Sequence, residues 1–318
     1  NGQASASNLG TATYGTITAN SSATGGDGGN GNFGSTEGIG GNGGTGDGGG
    51  TTLLVRGSTV TVTGSAQLIA NGTGGDGGAG GGETGAAGNG ADGYAGEVTI
   101  LASSRYLLPN QHGTLNLASI SGTAAGVGGL GLLDGNGIVE GGSGIEIDSS
   151  AVHIGTLDFD ITGDSVDPGS DPSYIYITNS TVDDTFTVNG QPVDVASSFA
   201  FSTPGDLFVQ VDNGSLTTDA LTLNAGDFVS IEEVDPPADR GTIFAGAATI
   251  TTGNNFIAEA NFDVGGNLAI VAPGLIDAHD FTTDGNLTLW ASSGGIGVDE
   301  LDSGGNIHLR ANGNTRPA

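Results

Sequence analysis

From Gly205 onward the chain returns to one short pattern about every 20 residues, and a period of that size constrains its fold more than any other feature. The pattern is Gly-x-Φ-x-Φ, with Φ apolar. Its anchors are Gly205, Gly226, Gly246, Gly266, Gly285 and Gly305, and their successive spacings are 21, 20, 20, 19 and 20. Two positions on stand Leu207, Phe228, Ala248, Leu268, Leu287 and Ile307; four positions on stand Val209, Ser230, Ile250, Ile270, Leu289 and Leu309. A second apolar column follows at Leu221, Ile243, Phe262, Phe281 and Leu301. Ser230 is the polar exception.

Alternation in both segments puts every second side chain on one face, as in a strand. Gly, Thr, Ser, Asn and Asp are poor helix formers, and no stretch keeps a helical period. A unit of this length, made of short strands, cannot bury its apolar face alone. Stacked in parallel at ~4.8 Å per rung, each apolar residue gains an equivalent above and below. The expected fold is therefore all-β: a right-handed parallel β-helix, or β-solenoid, of about 20 residues per coil, with the hand following the crossover rule. An antiparallel sandwich or barrel would place turns about every 8–12 residues without needing positional identity from one period to the next.

The N-terminal half carries strand signals at 11–19, 52–55, 59–63, 66–70, 97–101 and 114–120. Ile17-Thr-Ala-Asn precedes Thr24-Gly-Gly-Asp-Gly-Gly, and Leu68-Ile-Ala-Asn precedes Thr73-Gly-Gly-Asp-Gly-Gly. Each leads through a glycine tract, about 24–50 and 72–96, into another strand. The tracts read as inserts on one side of the solenoid. Glycine falls at 25, 28, 31 and 34, and at 74, 77 and 80, which fits a threefold extended helix packed against another; a flexible loop is the alternative. From about 121 to 204 the period loosens: 163–173 reads as a loop, and 182–201 as an extra strand pair. The reading is one elongated domain over 1–318, with regular coils over 205–313, about 12–13 coils and ~60 Å long.

Composition narrows the function. Five Arg, no Lys and 35 acidic residues give a net charge of −30. Five scattered Arg cannot neutralise a row of phosphates, so nucleic acid is not expected as a partner, nor is an anionic membrane. No apolar run reaches the ~20 residues of a membrane-spanning helix. Without Cys there is no disulfide, thiolate metal site or Cys nucleophile. Asn1 reads as the start of a mature or excised piece, and the acidic balance suits an extracellular protein kept soluble by self-repulsion.

Three units, Gly266-Asn-Leu-Ala-Ile-Val-Ala, Gly285-Asn-Leu-Thr-Leu-Trp-Ala and Gly305-Asn-Ile-His-Leu-Arg-Ala, resemble the repeats of filamentous-haemagglutinin-type exoproteins. Tracts of the Gly-Gly-Asp-Gly-Gly-Asn kind resemble inserts in large adhesin-like proteins. The resemblance covers about 205–313 well and the rest loosely. It implies an exported, extended β-helical surface or matrix protein, of the sort found in adhesins and biofilm fibres.

Catalytic chemistry finds little support. A glycan hydrolase needs paired carboxylates, and Asp183-Asp184 is the sole adjacent Asp pair. The charge repels anionic substrates. No nucleophile elbow or phosphate loop stands out, so the chain is not read as an enzyme. At a spacing of 20, Glu259, His279 and Asp299 form a candidate metal column beside Asp277 and Asp280. Gly88-Asn-Gly-Ala-Asp-Gly-Tyr partly matches a calcium-binding nonapeptide, which makes Ca2+ the candidate ion. The Thr59-Val-Thr-Val-Thr ladder of an ice-binding face occurs once.

The expected function is a secreted structural protein that stacks head-to-tail on copies of itself. The last unit, from Gly305, ends without a polar cap, and an uncovered solenoid end is an unpaired strand edge. The first strand, with Thr11, Thr13 and Ile17, is the candidate assembly element. The alternative is a monomeric glycan-binding or glycan-cleaving β-helix, with cell-surface glycans as partners and Tyr174 and Tyr176 as the aromatic platform.

Overall fold

The structure is a computed structural model that describes residues 2–7, 10–32, 38–82, 84–103, 113–139, 142–148, 150–167, 171–178, 192–211, 215–232, 242–259 and 261–312. Every regular element among them is a β-strand, and none is a helix. Among the described residues, then, no helix is long and apolar enough to cross a membrane. Nearly all strands join one large sheet system through parallel pairing. This is the pattern expected of a β-helix.

Three stacks of strands can be followed at the C-terminal end. In one, Leu207 pairs with Val229, Phe256, Ile276 and Ile296 in turn. In the next, Leu216, Ile243, Phe262, Phe281 and Leu301 succeed one another. The third reaches Ile307 from Leu221 through Ala248, Leu268 and Leu287. Pairing puts like on like, so the residues facing inward build a continuous core. Phe281 is fully buried, with its ring 6.4 Å from Phe256 and 5.9 Å from Phe262.

The third stack spans the whole described molecule. Its inward column is Ile17, Ala66, Ile120, Leu157, Phe199, Leu221, Ala248, Leu268, Leu287 and Ile307. Two residues on, a parallel column starts at Ala19, passes Leu68, Gly122 and Phe159, and ends at Leu309. Gly122 is small for a reason: a Cβ there would press into the Phe159 ring, which stacks on Phe201 at 5.5 Å. The column has ten rungs, not the 12–13 expected, and spans about 43 Å at the interstrand spacing. The N-terminal rungs use more chain than a bare coil, because each carries an excursion.

The repeat pattern itself has a physical explanation. In the last three units Asn follows the Gly, and it links one rung to the next: the Asn286 N–H donates to Asn267 Oδ1 (2.9 Å), and the Asn306 N–H to Asn286 Oδ1 (3.0 Å). Gly285 lies so close to Gly266 that a Cβ would overlap its backbone. Gly permits the approach, Asn satisfies the next rung's donor, and Φ faces the core.

Several expectations change. Leu207 and Phe228 do not belong with Ala248: Leu207 pairs with Val229, and Phe228 packs its ring 6.0 Å from Phe208. Leu216, not Leu221, lies on Ile243. The reason is a longer path: the chain runs further from Leu221 to its partner Ala248, and from Val229 to Phe256, than between later rungs. Ser230 is no break in the core, because Val229 and Ile231 are the inward residues; its hydroxyl lies 3.2 Å from Glu232 Oε1. Strand signals at 59–63 and 66–70 fuse into one strand, Thr59–Ile69, and 11–19 splits into Thr11–Tyr14 and Ile17–Asn20. The stretch read as a loop at 163–173 contains the short strand Ser165–Val166. Pro192–Thr203 is a rung of the main sheet, not an extra pair beside it; the rest of 182–201 lies outside the described residues.

The glycine tracts are ordered against one another. The Gly25, Gly28 and Gly31 N–H groups donate to the carbonyls of Thr73, Asp76 and Ala79; those of Gly40, Gly43 and Gly46 donate to Ala86, Asn89 and Asp92. Within the first tract Gly41 and Gly44 donate to Gly29 and Gly26. Bonding at every third residue is the signature of threefold extended strands. A third layer, 126–139, lies on the second: Gly74, Gly77 and Gly90 donate to Val127, Leu130 and Leu133. It adds to the two layers expected. A Cβ on Gly28 or Gly77 would overlap the carbonyl oxygen of Gly41 or Gly88.

Truncating Phe281→Ala should cost about 3–5 kcal/mol in urea unfolding. Gly77→Ala should cost about 1–3 kcal/mol or more by overpacking, with hydrogen-exchange protection lost first across the glycine layers.

Candidate functional site

Side-chain ladders run through the glycine layers as they do through the coils. Asp27 Oδ1 accepts from the Asp76 N–H (3.1 Å), and Asp76 Oδ1 from the Leu130 N–H (2.8 Å). Asn30 caps Ala79, Asn42 caps Asn89, Asn71 caps Ala125, and Asp92 caps Asn136. Gly88–Tyr94, the partial calcium nonapeptide, is thus part of a packed layer, with Asp92 committed to a backbone donor. The two columns Asp27–Asp76 and Asn42–Asn89 both end in leucine, at Leu130 and Leu133. With Leu132 these side chains are 61% to 68% exposed. At those positions the third layer offers no side-chain oxygen to a further layer, although its 137–139 end pairs with Ser165–Val166 and the Gly137 N–H donates to Asp164 Oδ2.

The candidate metal column is brought together in part. His279 Nδ1 lies 2.9 Å from Asp299 Oδ2, with both side chains well exposed. Glu259 is exposed and its N–H donates to Ile231. Among the described residues no group of three or more His, Asp or Glu is placed to hold a metal. Asp183 and Asp184 lie outside the described residues, as does His112.

The candidate assembly strand is already a docked rung. Thr11 and Thr13 pair with Thr59 and Thr61, and Ile17 with Ala66, all in parallel. It is therefore not a free donor arm. Among the described residues these strands pair on one side only. The opposite end is Ile307–Ala311, paired only with Leu287–Ala291 among the described residues. Ile307 and Leu309 are each 48% exposed, whereas their equivalents one rung back, Leu287 and Leu289, are 0%. The last rung is further held by Arg310, 5.2 Å over the Trp290 ring.

Tyr174 and Tyr176 stack side by side on the outward face of Ser173–Thr178, with centroids 4.8 Å apart. Gly144 makes room for the Tyr174 ring, since a Cβ would lie 2.8 Å from it. Glu146, Gln210 and Glu232 continue the Tyr176 position on neighbouring rungs. Burial raises both phenols above their ordinary range, reinforced by Glu146 at Tyr174 and by Glu232 at Tyr176; a bond with Thr99 opposes the shift at Tyr174. An open groove is lined by Val166, Asp171, Pro204, Asp206 and Asp227. Burial raises the Asp206 carboxyl, the Asp227 charge adds to this, and the Phe228 backbone N–H works against it.

Compared with models of known families, with curated proteins and with solved structures, the chain matches none.

A carboxyl whose folded pKa lies above its unfolded value makes ionisation cost stability. That cost is absent below the unfolded value, near 3.8, and sets in as pH rises through the folded one. Asp206→Asn should therefore raise the melting temperature at pH 7 and lose that advantage below about pH 4, read by thermal unfolding against pH.

Proposed function

We propose that the chain is an extracellular structural protein, a section of a surface or matrix fibre of the adhesin-like kind, and not an enzyme. On this reading it is a right-handed β-solenoid of about 20 residues per coil in its regular part, and copies stack head-to-tail. The resemblance of its Gly-Asn-Φ-x-Φ units to filamentous-haemagglutinin-type repeats supports export and an extended form.

The observation that carries the reading is the pair of ends. Among the described residues, Ile17 and Ile307 stand at the two ends of one inward column, and Ala19 and Leu309 at those of its neighbour. Stacking one copy on the next sets Ile307 over Ile17 and Leu309 over Ala19, continuing the columns without a break. Larger residues at one end meet smaller ones at the other: Ile296 and Val298 register with Gly2 and Ala4, and Leu301 with Ala12. The half-exposed leucine and isoleucine would be covered and an unpaired edge removed. Because the two surfaces differ, the contact is heterologous and generates an open polymer.

A second reading, binding of a neutral glycan, is favoured by the stacked tyrosines flanked by Glu146, Gln210 and Glu232. Loss of binding to a neutral polysaccharide array on Tyr176→Ala, with Tyr176→Phe retained, is its test.

Electron cryo-microscopy of the purified chain should show filaments with a subunit rise of about 48 Å, ten rungs at the interstrand spacing, in the presence and absence of calcium. Leu309→Asp should abolish them and leave a folded monomer. Isolated rods at high concentration in both conditions would refute the polymer.

A further inference from the structure

The first glycine layer has an outer face that repeats, group for group, the face by which the second layer binds the first. Gly75 and Gly78 in the second layer donate to the Gly44 and Gly41 carbonyls at 2.8 Å each, and the Asp76 and Ala79 N–H groups are capped by Asp27 and Asn30. One layer earlier in the chain stand their equivalents, Gly26, Gly29, Asp27 and Asn30, at the constant offset of the hydrogen-bonded pairs. Their N–H groups have no partner among the described residues. Four donors are presented along one open edge, in the same order and spacing as four that are satisfied one layer up.

The glycines on this face are informative in a second way. A Cβ on Gly75 or Gly78 would overlap the backbone of Gly26 or Gly29, so the second layer needs glycine there. At Gly26 and Gly29 a Cβ would meet nothing within 4 Å. Nothing among the described residues requires glycine at these two positions. Glycine there costs backbone entropy and would be replaceable without strain. What does require it is a close approach of another backbone from outside.

The opposite face differs. There the acceptor columns end in Leu130 and Leu133, which offer no side-chain oxygen to a further layer. In the last layer of a second copy, Leu130 stands where the open face needs the oxygen of an Asp27 equivalent, so that layer is a poor match for it. The copy's first layer presents donors to donors, and its second is already covered on both sides. The occupant needs glycine at every third position and an Asp or Asn at the interval of Asp27 and Asn30.

We propose that the open face of the first glycine layer docks a further pair of threefold extended glycine strands, carrying Asp or Asn at every third residue. It is the glycine-layer counterpart of adding a strand to a sheet edge. The carbonyls of the incoming layer accept from the Gly26 and Gly29 N–H groups, and its Asx side chains accept from those of Asp27 and Asn30. The proposal does not rest on the head-to-tail reading, because it uses a different surface.

The test uses the full chain carrying Leu309→Asp, so that end-to-end association is removed. The probe is a synthetic peptide of residues 22–49, the tract that natively lies beneath the second layer. Hydrogen exchange is followed by NMR at millimolar peptide. The expected result is slowing by tenfold or more at the amides of Gly26, Asp27, Gly29 and Asn30. Asp27→Ala with Asn30→Ala in the peptide should abolish the slowing. Gly26→Val with Gly29→Val in the protein should abolish it too, without lowering the melting temperature, because both side chains enter open space. No slowing, equal slowing by the doubly substituted peptide, or slowing that persists in the valine variant would each overturn the proposal.

Discussion

The structure depends on one constraint above all: backbone donors must find acceptors on the neighbouring rung or layer, at or beside the equivalent position. In the strands the parallel ladder meets it. At turns, and between the backbone bonds made at every third residue of the glycine tracts, Asn or Asp side chains supply oxygens for other donors. Asn267 to Asn286 to Asn306 does this in the coils. Asp27 to Asp76 does it in the glycine layers. Both regions thus obey the same rule with different backbones, and so they can stack in step on one axis.

The constraint also gives the molecule direction. A ladder of this kind has two different ends, and here they differ in chemistry. The strand stack ends in exposed Ile307 and Leu309 on one side and in the rung carrying Ile17 and Ala19 on the other. Among the described residues, the glycine layers carry leucines at one face and open backbone donors at the other. On the proposed reading, the surfaces that matter are the first and last described rungs and layers, together with the outward tyrosine pair.

Parts of this were legible in the sequence and parts were not. The columns from Ala248 onward could be read because their spacing is regular. The frame slipped at 226–248, where a longer excursion contains glycines that imitate the regular period. The third glycine layer escaped because its signal, Gly126-Val-Gly-Gly, lacks the Asp of the first two; Leu130 stands in its place. Glu259, His279 and Asp299 share a spacing, yet only His279 and Asp299 meet, since equal spacing gives register and not the direction of a side chain. For the tyrosines, alternation was enough to put both rings on one face, but not to show that Gly144 leaves room for one of them.

The sequence by itself determined the all-β character, the parallel stacking of like on like, and the absence of cysteine and cationic chemistry, because these follow from residue type and period alone. Only the tertiary structure decided which equivalents lie on which stack, how many rungs the chain makes, and which faces are left open. Those outcomes depend on how much chain each excursion consumes between rungs. A step of 20 in sequence and a step of 49 both advance the stack by one rung, and nothing in the local pattern counts them.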